Sequence, residues 1–176
     1  MNKHSKIMNK LLVVIALLTL IACGNSEHES QHSLIGKEFK SFSEIAELQK
    51  FSKVSDTVVY GTYVEPKHSI LHLNNDTQNL ILFNSVAIES SNTKRLLKVL
   101  DTLAIPDLKN TEFITIGYCQ LNQNMDENLI AVVTKTDSMN IQRITKVWRA
   151  NTTTNSIEVV NNLNGINCFK EFFVQN

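Results

Sequence analysis

The sequence predicts an α+β fold in which an antiparallel β-meander packs against one main helix at about residues 92–104. A short second helix is predicted nearer the N-terminus. Three observations carry the prediction. Leu96, Leu97, Leu100, Leu103 and Ala104 recur at spacings of three and four, with Lys94, Arg95, Lys98 and Asp101 turned away, and Pro106 closes the run. Four segments rich in β-branched and aromatic residues follow, joined by short polar connections. At 176 residues, with 43% hydrophobic and 19% charged, the chain is large enough for one well-packed domain.

Taken in order, Ser41-Phe42-Ser43-Glu44 fits a capping box, and Ile45, Leu48 and Phe51 supply the apolar stripe of the short helix. Thr57 to Val64 reads as a strand ended by Pro66. Ile70 to Leu73 and Leu80 to Ile88 are apolar runs separated by a hairpin turn at Asn74-Asn75-Asp76. Beyond the main helix, strands are predicted at Glu112 to Leu121, Asn128 to Lys135, Ile141 to Arg149 and Ser156 to Val160, as consecutive antiparallel neighbours. Leu129, Ala131 and Val133 fall on one face, with Ile130 and Val132 on the other. That pattern predicts a central strand covered from both sides.

The N-terminus has a different texture. Lys10 precedes an apolar run from Leu11 to Ala22, roughly a dozen residues, which is short of the about 20 needed to span a bilayer. It has the length of a signal-peptide core. Its end, Leu20-Ile21-Ala22-Cys23, resembles the lipobox of bacterial lipoproteins. The resemblance implies cleavage after Ala22 and a diacylglyceryl group on the sulfur of Cys23. It divides the chain into a signal peptide (1–22), a lipidated cysteine with a polar tether (23–37) and one globular domain (38–176). Gly24, where an acidic residue would retain such a protein in the inner membrane, implies the outer membrane in a cell that has two.

Removing residues 1–22 takes away Lys3, Lys6 and Lys10 and leaves 14 basic against 17 acidic side chains. A mildly acidic domain argues against nucleic acid as a partner, because phosphate neutralisation needs basic surface. With Cys23 lipidated, Cys119 and Cys168 remain as an even pair in a compartment that permits oxidation. They read as a disulfide or as two separate buried thiols. His68 and His72 share a strand face but lie about 13 Å apart, too far for one metal ion, so they read as solvent-facing. Lys146 and Trp148 also share a strand face. They read either as a cation-and-aromatic binding patch or as a core tryptophan with a lysine beside it. No nucleophile elbow, phosphate-binding loop, dinucleotide fingerprint or H-E-x-x-H motif occurs, and neither a catalytic residue, a metal site nor a cofactor is expected. The sequence thus predicts a membrane-anchored, non-enzymatic binding or accessory module with an envelope protein as partner, in an inhibitor- or immunity-like role. A small envelope hydrolase with a site outside known motifs is the alternative.

Overall fold

The computed structural model describes residues 33–60, 65–88 and 95–170. Strands β1 (Glu38–Phe39), β2 (Ser52–Val59), β3 (His68–Asn74), β4 (Gln78–Ile88) and β5 (Arg95–Pro106) form the first sheet, in the order β1-β5-β4-β3-β2 with every pair antiparallel. β3 and β4 are apolar on both faces, as Ile70, Leu71 and Leu73 and the run Leu80 to Phe83 require. The turn between them is held by the Asn75 side chain, whose Oδ1 accepts the backbone N–H groups of Thr77 at 3.0 Å and Gln78 at 2.9 Å. An Asx turn of this kind is what the Asn-Asn-Asp sequence encodes.

The predicted main helix is a strand. Residues 95–106 of the window are β5, paired along β4 from Gln78↔Pro106 to Ile88↔Arg95, and the window's first residues, 92–94, lie outside those described. The misleading spacing has a physical origin in a β-bulge. Phe83 pairs with Asp101 and Asn84 with Val99, so Leu100 opposes no residue. Leu97 and Val99 face one side of the sheet, whereas Leu100, Leu103 and Ile105 face the other. A strand covered on both faces and shifted by one residue in its middle reproduces the three-and-four spacing of a helix. Asp101, which a helix would turn to solvent, instead accepts the Ile157 N–H at 2.6 Å.

The short N-terminal helix is also corrected, to two single 3-10 turns at Phe42–Glu44 and Ala46–Leu48 with Ile45 extended between them. The capping box is not made. Glu44 Oε2 accepts the Lys40 N–H at 3.0 Å, and the Ser41 and Ser43 hydroxyls lie 2.8 Å apart. So short a helix has little stability of its own, and packing decides its backbone. Ile45, Leu48 and Phe51, with Leu34 and Phe39, cover Leu71, Leu73, Leu80, Leu82 and Val99 on the outer face of the first sheet. Leu34 is buried and the Gly36 N–H donates to the Val99 carbonyl at 2.8 Å, so the packed domain already includes residues assigned by sequence to the tether.

The second sheet contains β6 (Glu112–Ile116), β9 (Leu129–Thr134), β11 (Ile144–Asn151) and β12 (Ser156–Val159), in the order β12-β11-β9-β6. Its inner face carries Ile114, Ile116, Ile130, Val132, Trp148 and Ala150, packed on Val59, Ile70, Ile81, Phe83 and Ile105 of the first sheet. The expected strand from Glu112 to Leu121 breaks at Gly117, whose φ of +76° suits a residue without a side chain. There the chain passes into a third sheet of β7 (Cys119–Leu121), β8 (Asn124–Met125), β10 (Asn140–Ile141) and β13 (Ile166–Phe169). Cys119, Ile141, Ile166 and Cys168 of that sheet cover Leu129, Ala131, Val133 and Val147. β9 is therefore buried on both faces, as its sequence predicts. The architecture is all-β: three antiparallel sheets in layers, with the N-terminal turns as an outer cover.

Candidate functional site

The N-terminal turns cover only part of the outer face of the first sheet. Beside them lies an open cleft of about 680 Å³. Its floor comes from four adjacent strands: Val58 of β2, Leu71 and Ser69 of β3, Val86 of β4 and Leu97 of β5. Lys40, Ser41 and Glu44 rim it from the covering segment, Asp56 from β2 and Arg95 from β5.

Most of the polar groups here are already engaged. Asp56 is paired with Lys53 at 2.7 Å, and Glu44 accepts from the Lys40 backbone. Ser69 is buried, and its hydroxyl lies 3.5 Å from Nδ2 of Asn84, its cross-strand partner. Asn84 is fully buried, donates to the Leu82 carbonyl at 3.3 Å, and leaves Oδ1 without a partner. Sequence reasoning missed this cleft. The available signal was the polar pair Asn84-Ser85 interrupting the apolar run from Leu80 to Ile88. A second opening, of about 520 Å³, is bordered by Glu65, Lys67, His68 and Asn155.

The residues singled out by sequence lie elsewhere. Trp148 is 3% exposed and belongs to the core between the first two sheets, with the Lys146 ammonium 4.9 Å from its ring centre. The cation-and-aromatic contact forms, and the ring is packed in the core as the second of the two readings expects. Cys119 and Cys168 stand opposite each other on β7 and β13 at disulfide-bonding distance, with Cα atoms 4.0 Å apart. The Phe169 N–H donates to the Tyr118 carbonyl, so the cysteines occupy the neighbouring non-hydrogen-bonded position, where strands approach most closely. This explains a separation slightly shorter than the usual 4.4–6.8 Å. Cys23 lies outside the described residues.

The histidines do share one strand face, but it is the inner face rather than solvent. His68 is half-buried and stacks on Phe83 at 5.4 Å. His72 is buried, with Nε2 2.9 Å from Asn79 Oδ1, which also accepts from Asn74 Nδ2 at 3.0 Å. Asn79 thus accepts the Nε2 proton and Nδ1 is left buried without a partner. Burial holds both imidazoles below the ordinary histidine pKa; the hydrogen bonds that His68 makes with Asn155 and that His72 donates to Asn79 oppose the shift. Among the described residues no group of three His, Cys, Asp or Glu side chains could hold a metal ion.

A stability prediction follows from these depressed pKa values. Below about pH 6.5 the unfolded chain protonates its histidines while the folded one resists, so unfolding takes up protons. Stability should be fully present above that pH and should fall as the pH drops toward the folded-state values. Melting curves between pH 7.5 and 5 are expected to show the decline, and His72→Gln should flatten part of it. An unchanged slope in that variant would remove His72 from the explanation.

No family model, no curated protein and no solved structure matches this chain.

Proposed function

We propose that the protein is a cell-envelope lipoprotein, held to a membrane through lipid on Cys23, whose domain serves as a non-enzymatic binding module. The observation that carries the anchor is the sequence Leu20-Ile21-Ala22-Cys23 at the end of a short apolar run. Each buried methylene contributes about 0.8 kcal/mol, so two or three acyl chains would make attachment effectively permanent. In a cell with two membranes, Gly24 directs the protein to the outer one. A bond between Cys119 and Cys168, already in position for it, suits an oxidising envelope compartment.

The cleft supports binding over hydrolysis. Its carboxylates and the Ser69 hydroxyl are committed to structural contacts, whereas a nucleophile or general base needs a partner arranged for proton transfer. An envelope protein is the partner class that fits an accessory role, and the acidic mature chain disfavours nucleic acid.

Cys23→Ala is expected to abolish incorporation of radiolabelled palmitate and to leave the protein unprocessed. A variant that still takes up label and fractionates with membranes unchanged would overturn the anchor. For the module, capture from envelope extracts should yield a partner. Turnover of ester or glycoside substrates that is lost on substituting a cleft side chain would establish the hydrolase instead.

A further inference from the structure

We infer that the cleft on the outer face of the first sheet binds a small amphipathic anion, with its charged group at Arg95 and its apolar body across Val58, Leu71, Val86 and Leu97. The inference deepens the binding-module reading and rests on it. The floor continues the apolar face that Ile45, Leu48 and Phe51 seal next to it, with Leu71, 6% exposed, at the boundary between the two. An apolar ligand would finish that burial, and about 680 Å³ falls within the usual range of small-molecule sites.

Charge decides the polar end of the ligand. The rim holds Lys40 and Arg95 against Glu44 and Asp56, and Lys53, paired with Asp56 at 2.7 Å, adds a third cation to the two carboxylates. The Arg95 side chain makes no hydrogen bond or ion pair among the described residues, its backbone alone being paired, with β4. Among the described residues its guanidinium keeps its donors for a ligand, and a carboxylate or phosphate matches that planar fork. Arg95 stands on β5 and Val58 on β2, three strand spacings apart, or roughly 14 Å across the floor. That separation suits a charged head at one side and a hydrocarbon body reaching the other.

The sheet face disfavours an extended peptide. Backbone groups of β3 and β4 are paired on both sides within the sheet, so a peptide laid across them would lose water from its own N–H and C=O groups without replacement. A hydrocarbon chain carries no such cost.

The test uses a chain beginning at Gly24, which contains every residue of the three cores and carries no anchor, so its outcome is independent of lipid on Cys23. Dodecanoate, below its micellar concentration, is titrated calorimetrically against dodecyltrimethylammonium, which has the same chain and the opposite head charge. Saturable one-to-one binding of dodecanoate, at least tenfold weaker binding of the ammonium, and at least tenfold loss in Arg95→Gln are expected. Leu97→Gln, which alters the floor, should weaken both ligands, with melting curves reporting that each variant is folded. No saturable binding, equal affinity for the two heads, or unchanged affinity in folded Arg95→Gln would each overturn the proposal. A protein captured through Arg95 while dodecanoate fails to bind would also overturn it, yet leave the binding-module reading standing.

Discussion

Breaking the link between Cys119 and Cys168 is expected to destabilise the domain by about 4 kcal/mol on the chain-entropy model, given their separation of 49 residues. That is a large share of the 5–15 kcal/mol that holds a typical domain folded, and on the order of 10 °C in melting temperature. The loop closed by the bond runs from β7 to β13 and contains β9, β11 and β12, most of the second sheet. β13 is four residues long, and its attachments are backbone pairing with β7 and β10 and the burial of Ile166 and Cys168. Without the covalent link, that pairing must offset the full entropy of closing the loop. Reduction of the oxidised chain and Cys119→Ser should lower the melting temperature by similar amounts, and Cys119→Ser with Cys168→Ser should be no worse than either alone. Two free thiols in the denatured, oxidised chain beginning at Gly24, which lacks Cys23, would rule the bond out.

That pairing was legible because, with Cys23 set aside, cysteine parity leaves one possible pair, whereas the rest of the fold was legible only where one local rule decided the outcome. β9 shows its place directly, since Leu129 to Val133 can satisfy an unbroken apolar run only in the middle of a stack. The Asn74-Asn75-Asp76 turn is likewise local. β5 was misread because its alternation is interrupted by the bulge at Leu100, and the cause of the bulge lies in the register with β4. The faces of His68 and His72 were grouped correctly. Which face meets solvent depended on a second sheet beginning some forty residues later. The cleft was out of reach for the same reason. Asp56, Ser69, Val86 and Arg95 come from four strands and resemble ordinary surface or strand residues one at a time.

Trp148 divides the two readings of the Lys146–Trp148 pair most sharply. Its indole is 3% exposed and packs with Ile130, Ile70 and Phe83 between two sheets, so Trp148→Ala removes a large apolar group from a site that cannot collapse without moving a sheet. The expected cost is about 3–5 kcal/mol, read as a lower urea midpoint. Lys146 is exposed, and its contact with the ring is of the kind that contributes only about 0.5–1 kcal/mol, so Lys146→Ala should barely move the midpoint. Trp148→Phe should fall between the two, because it keeps an aromatic filler and loses part of the volume. A binding patch would reverse this ordering: both alanine variants would keep their stability and lose a partner. Core packing predicts instead that Lys146→Ala keeps both, while Trp148→Ala loses binding only in proportion to the fraction unfolded.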